Sequence, residues 1–334
     1  MKETKEAGLP VLAVDIGGTK IITALISNKG QVMAKEYHLT LADEGPPAVI
    51  NRILVAIGRL LNVKNMGLSQ LDSISIAAAG AINFNKGVIT VSPNLPGWYD
   101  VPLKDMVKEK YQVNTFLIND ANAAALAEHR FGVGKGTKNL VYLTVSTGIG
   151  SGIITDGELY MGTSGSAGEI GHMTIDVNGV RNECGNVGCW ETLASGTAVA
   201  KEAVERIRRG EESYLTEIVE GKLENITAEQ VSTAAQNGDS LALEIIMQAA
   251  TYLGVGLVNL VNIFNPEIVV IGGGMSRMGE LLFDPARKVV GERAFPVSAE
   301  VVRIVPAQLG NNAEVIGAAI FARQQKTRGD TRPV

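Results

Sequence analysis

Cysteine is scarce: two in 334 residues, too few for a disulfide framework and in keeping with a reducing compartment such as the cytoplasm. No sign of charge dominates. Thirty basic residues against thirty-five acidic ones leave a net charge of -5, which argues against a nucleic-acid partner held by bulk charge. The segment Met1 to Pro10 lacks the apolar core of a signal peptide, and its ten residues leave no room for a helix-turn-helix ahead of the first predicted strand. Long apolar runs are missing too, with one stretch to weigh. No charge falls between Glu244 and Glu267, but Gln248, Thr251, Asn259, Asn262 and Asn265 interrupt it and Pro266 ends it. A helix buried in a soluble core, with no membrane partner, is the reading. Two nucleotide motifs are also absent. No strand is followed by G-x-G-x-x-G with a downstream acid, which disfavours a Rossmann dehydrogenase. Gly134-Lys135-Gly136-Thr137 breaks the Walker pattern, having Gly after the Lys. The sequon Asn225-Ile226-Thr227 is read as chance without a secretory signal.

What is present is ordinary globular composition, 46% apolar and 19% charged, at a length that suggests two domains. Val11 to Val14, Ile21 to Ile26 and Gln31 to Leu39 read as three strands joined by tight turns. Pro46-Pro47 opens a helix with apolar residues at helical spacing. A strand Ile74 to Ala79, a helix Leu103 to Tyr111, a strand Thr115 to Ile118 and a helix Ala121 to His129 follow. The pattern then restarts about 130 residues on: strand Leu140 to Val145, a Gly-rich turn, strand Gly152 to Thr155, turn Asp156-Gly157, strand Glu158 to Met161. This repeat of element order predicts two similar α/β halves. The second half carries an insertion, Ser164 to Glu191, with a His and both cysteines. Helices Thr197 to Arg209, Ala228 to Asn237 and Ser240 to Phe264 come next, then strands Ile268 to Ile271 and Val301 to Val305, a last helix Ala313 to Gln325, and a tail from Thr327 expected to be mobile.

Several motifs carry chemistry. Asp15-Ile16-Gly17-Gly18-Thr19-Lys20 follows a buried strand. Paired glycines let backbone N–H groups reach a phosphate, Thr19 adds a hydroxyl, Lys20 a charge, and Asp15 a carboxylate for Mg²⁺ through water. The bland alternative is a glycine hairpin. Ser146 to Gly150 repeats the arrangement, with Thr147, Gly148 and Gly150 as the second cradle, and two such turns across a cleft would clamp a triphosphate. Gly272-Gly273-Gly274 after another strand offers bare backbone on which adenine would lie. Asn119-Asp120 reads either as a helix N-cap or as a general base for a hydroxyl attacking a phosphoryl group. Glu169, His172 and Glu191 suit vicinal hydroxyls or are solvated charges, and His172, Cys184 and Cys189 also have zinc-ligand character.

Together these motifs resemble the ROK family of sugar kinases, of the glucokinase and N-acetylmannosamine-kinase type. The likeness runs from Val11 to about Ala322, and Gly168-Glu169-Ile170-Gly171-His172 with Cys184-Gly185-Asn186-Val187-Gly188-Cys189-Trp190-Glu191 is its most specific part. The resemblance implies an α/β protein whose two similar domains, of the actin–hexokinase–Hsp70 (ribonuclease H-like) type, flank a cleft. The smaller would span 1–118 plus 317–334, the larger 119–316. It implies ATP and Mg²⁺ as cofactors, a hexose as substrate, glucose foremost, and a homo-dimer or tetramer. Asp120 becomes the general base. Asn119, Glu169, His172 and Glu191, with Gly80 and Asn94, become sugar-binding residues. The family's zinc motif has a Cys where this chain has Asn182. Two outcomes follow: zinc held by His172, Cys184 and Cys189 with an oxygen as fourth ligand, or a loop folded without metal.

Overall fold

A computed structural model describes residues 8–330 except Asn85, and of residues 328–330 only the backbone. Residues 1–7 and the end of the tail, 331–334, lie outside the described residues.

The chain forms two compact units. The first comprises residues up to 136, 159–167 and 309 onward. Its strands are β1 (Val11–Ile16), β2 (Lys20–Ile26), β3 (Val32–Leu39), β4 (Ser73–Ala78), β5 (Ala81–Asn83), β6 (Val88–Val91), β7 (Tyr99–Val101) and β8 (Thr115–Asn119), and its helices before residue 136 are α1 (Pro46–Val63), α2 (Leu103–Tyr111) and α3 (Asp120–Phe131). One five-stranded sheet has the order β3-β2-β1-β4-β8. Here β1, β2 and β3 form an antiparallel meander and β1, β4 and β8 run parallel. Strands β1 and β4 are buried at every position, as central strands of a sheet covered on both faces are. Helix α1 packs Ile53, Ile57 and Leu60 into the core on one side.

The second unit holds residues 137–158 and 168–308. Its sheet contains β9 (Leu140–Val145), β10 (Ile149–Thr155), β11 (Glu158–Leu159), β12 (Ile268–Gly272) and β13 (Arg303–Pro306), in the order β11-β10-β9-β12-β13. This repeats the strand order of the first unit, so the duplication read from element order is present in the topology. Its helices are α4 (Glu191–Ala194), α5 (Gly196–Arg208), α6 (Leu215–Ile218), α7 (Ala228–Gln236), α8 (Ser240–Phe264), α9 (Glu280–Arg293) and α10 (Pro296–Val301). Among the described residues α8 is the one helix long and apolar enough to cross a membrane, yet Leu253, Leu257, Leu260 and Val261 sit at the centre of this unit's core.

The closing helix α11 (Ala313–Asp330) belongs to the first unit and lies against α3 and β1. The contact is close enough that a Cβ on Gly317 would collide with the Ala123 carbonyl. That packing moves the division from the expected 118/119 to Gly136, because α3 stays with the helix it touches. Other elements also differ from expectation. Strand β10 begins at Ile149 and so takes in Gly150, and β11 stops at Leu159. Val301 closes α10, which Pro296 opens at a first-turn position, so the last strand starts at Arg303. Helix α11 continues through Thr327 to Asp330, five residues past the expected end.

Candidate active site

In the first unit the residues singled out from sequence gather at the carboxyl ends of β1, β4 and β8. Asp15 is the penultimate residue of β1 and is buried. The turn after it is closed by Gly17 N–H donating to the Lys20 carbonyl at 3.0 Å, and it is tied to Thr40, whose hydroxyl donates to the Gly17 carbonyl at 2.7 Å. Gly18 abuts Asn94, with a Cβ there only 2.9 Å from the Asn94 carbonyl oxygen. Gly80 follows β4, and its carbonyl accepts from Asn119 Nδ2 at 3.2 Å. Asn119 Oδ1 accepts from the Asn122 N–H at 3.1 Å. Asn119 is therefore the N-cap of α3 and also a tie to β4.

Asp120 opens α3, and its Oδ1 accepts from the Ala121 N–H at 2.8 Å. The residue is half-buried, and the lost hydration pushes its carboxyl above the ordinary range, against the pull of the hydrogen bonds from the helix start. Burial raises Asp15 further, and Glu314 and then Asp120 add to the rise, with Lys20 and Lys35 opposing it. Glu314, in the first turn of α11, is raised chiefly by desolvation and also by Asp120. Sequence reasoning missed Glu314. It joins this carboxylate group because α11 and α3 run together, a contact without a local sequence signal.

In the second unit the turn Ser146–Thr147–Gly148 stands where the first glycine turn stands in its own sheet. Ser146 N–H donates to the Gly148 carbonyl at 2.9 Å, and Gly196 N–H to the Ser146 carbonyl at 2.7 Å. The position paired across the hairpin with Gly150 is Thr144, where the first unit has Asp15 opposite Ile22. The turn is repeated, but the carboxylate is not. Gly272 ends β12, and Gly273 and Gly274 are exposed backbone, Gly273 at φ 85° over the Val145 carbonyl.

The insertion brings Glu169, His172 and Glu191 together. His172 Nε2 lies 4.0 Å from Glu169 Oε2, and Nδ1 lies 3.5 Å from Glu191 Oε1. Trp190 fixes this end of the loop: its fully buried ring lies on Gly256 of α8, and its indole N–H donates to the Tyr252 carbonyl at 2.9 Å. That anchor sets where Glu191 starts α4.

His172, Cys184 and Cys189 present ligand atoms within 4.8 Å of one another. The two sulfurs are 3.6 Å apart. Tetrahedral zinc with bonds of about 2.3 Å to sulfur spaces two thiolates about 3.8 Å apart, so the donor set fits zinc. Nδ1 of His172 is buried and has no hydrogen-bond partner among the described residues, which leaves its lone pair open to a metal. Asn182 does not complete the set. Its Nδ2 donates to Glu191 Oε1 at 2.8 Å. Burial raises the Cys189 thiol, and a hydrogen bond from the Asn182 amide works the other way.

The ROK family matches residues 11–325. The chain belongs to the ROK family. Its two sheets of matching strand order are those of the actin–hexokinase–Hsp70 type. The glucokinase of Thermotoga maritima is 36% identical over 95% of this chain and 98% of its own length. The ROK glucokinase from Streptomyces griseus, solved in complex with glucose and AMPPNP, superimposes with a TM-score of 0.82 at 33% identity, covering 94% of this chain and 99% of that one. The family also holds regulators: the xylose repressor of Caldicellulosiruptor bescii is 32% identical over 95% of this chain and 78% of its own length.

Proposed function

We propose that this protein transfers the terminal phosphoryl group of ATP to a hexose, with glucose as acceptor and glucose 6-phosphate as product. The observation that carries the reading is Asp120. A half-buried carboxylate at the head of α3, raised by its surroundings, has the character of a general base. A regulator that only senses sugar needs hydroxyl-binding groups and no such base.

Glu169, His172 and Glu191 accept and donate hydrogen bonds to the sugar's hydroxyls, and Asp120 takes the proton of the hydroxyl that attacks. Asn94 and Gly80 carry loops toward the sugar, and Asn119 orients Asp120 by capping the same helix. The amides and hydroxyls of Gly17, Gly18, Thr19, Thr147 and Gly148, with Lys20, hold the phosphates, and Gly272 to Gly274 take the adenosine. Asp15 would hold Mg²⁺ through water, and the ion when bound would offset phosphate charge. His172, Cys184 and Cys189 would hold zinc, which when bound would tie down the loop that carries the sugar-binding groups. The rate gain comes from positioning and electrostatics. Two free thiols accord with a cytoplasmic setting, and the resemblance leads us to expect a dimer or tetramer, to be checked by sedimentation.

The test is ADP formation from MgATP with glucose, mannose, fructose, allose or N-acetylmannosamine in turn. Glucose is expected to give the highest kcat/KM. A higher value for another of the five reassigns the substrate, and no turnover with any of them favours the regulator.

A further inference from the structure

Glu191 is gripped within the second unit by groups that sequence motifs do not connect. Its Oε1 accepts from Asn182 Nδ2 at 2.8 Å and lies 3.5 Å from His172 Nδ1. Its Oε2 lies 3.5 Å from the Ile149 N–H, and so close to Gly148 that a Cβ there would come within 2.7 Å. One carboxylate thus touches the cysteine loop, the imidazole and the second glycine turn. Asn182 is the member of this group with no role so far. It is itself immobilised: its N–H donates to the Asn186 carbonyl at 2.8 Å, its carbonyl accepts from the Gly185 N–H at 2.9 Å, and its Oδ1 accepts from the Glu183 N–H at 2.8 Å. With the acceptor side engaged, the amide N–H group points to Glu191.

We propose that Asn182 is a positioning residue for sugar recognition, fixing the Glu191 carboxylate beside His172 and the Gly148 turn from a loop that itself touches no substrate. The inference rests on the reading of Glu191 as a sugar-binding group. The physical reason is donor chemistry. A carboxylate free to rotate presents its oxygens in many orientations, and each must be frozen out when sugar binds. An amide N–H donating to an ionised carboxylate is a charge-assisted bond that does this in advance. A thiol at position 182 would be a weak donor and would leave Glu191 unrestrained. With Asn at 182 the metal site has two sulfurs rather than three, and Glu191 gains a fixed orientation as acceptor for a hydroxyl.

Three variants decide it: Asn182→Leu, which keeps the branched shape and removes the amide; Asn182→Asp, which keeps the shape and puts a second negative charge beside Glu191; and Glu191→Gln. Equilibrium glucose binding is measured by calorimetry, with zinc content and KM for glucose and ATP in parallel. Losing one charge-assisted bond predicts about a tenfold weaker glucose affinity for Asn182→Leu, a larger loss for Asn182→Asp, and a rise in glucose KM that exceeds any fall in kcat. KM for ATP should move less than about twofold. Zinc content should match the parent in Asn182→Leu, since no ligand is removed. In the Glu191→Gln background Asn182→Leu should add little, because the charged acceptor is gone. Parental glucose affinity in Asn182→Leu and Asn182→Asp, with weakened binding in Glu191→Gln, overturns the positioning role alone. Parental affinity in all three overturns the reading of Glu191 and the inference with it.

Discussion

Asp120 and Glu314 hold matching places on two touching helices. Each lies in the first turn of its helix, and three residues further on α3 and α11 meet at Ala123 and Gly317. Residues three apart share a helix face, so the contact that seats α11 also brings Glu314 toward Asp120, whose charge raises it, and toward Asp15, which it raises in turn. Three carboxyls are thus held above their ordinary range in the first unit, with Lys20 and Lys35 as the partial counterweight.

Stability should follow pH accordingly. A carboxyl raised in the folded state binds its proton more tightly there than in the unfolded chain. Its contribution is fully present below the unfolded pKa, about 4, and is lost as pH rises through the folded value. Glu314→Gln removes one of these charges. Thermal melts across pH are expected to show the variant more stable than the parent at pH 8, with the gap closing toward pH 4. A variant less stable at pH 8 would mean that the Glu314 charge is satisfied by its surroundings.

The same substitution should leave the catalytic pH profile in place. Asp120 must be ionised to accept a proton, so kcat/KM falls on the acid side as it protonates. Its rise comes from its own burial, and Glu314, raised by the Asp120 charge, ionises after it. The acid limb of the kcat/KM profile is expected to stay unmoved in Glu314→Gln, and a limb shifted to lower pH would show that Glu314 carries its charge while Asp120 titrates.

Trp190 should couple stability to sugar affinity. Trp190→Phe loses the hydrogen bond to the Tyr252 carbonyl, a cost of about 1 kcal/mol. Trp190→Ala also empties a fully buried site in the core of the second unit and should cost about 3–5 kcal/mol in urea unfolding. Because Glu191 is the next residue, glucose binding should weaken in both and more in the alanine variant.

Metal analysis tests the cysteine loop. Protein purified without added zinc is expected to carry about one zinc per chain, and Cys184→Ser to lose most of it. Absence of stoichiometric metal in the parent would mean that the two sulfurs at 3.6 Å are a thiol pair and nothing more.

Much of this architecture is legible in sequence where local patterns suffice. Leu103–Tyr111, Ser240–Phe264 and Leu140–Val145 have the bounds their apolar spacing predicts, and the glycine turns sit at strand ends as motif order requires. Patterns fail where structure is set from a distance. Helix α9 hides behind the internal Pro285, which reads as a helix breaker. The hairpins of β5, β6 and β7 are three or four residues long, too short for alternation to register. Glu314 is one acid among thirty-five until α11 packs on α3. Asn182 reads as a missing ligand, and only the folded loop turns its amide toward Glu191.

Asp120 is the proposed acceptor of the proton from the attacking hydroxyl. Asp120→Asn keeps the side-chain shape and the acceptor for the Ala121 N–H while removing the base, so the direct measurement is single-turnover transfer from ATP to glucose, with glucose affinity determined on the same samples. Transfer is expected to slow about 10²–10⁴-fold, with glucose affinity within a few-fold of the parent. Transfer at the parental rate would contradict that role.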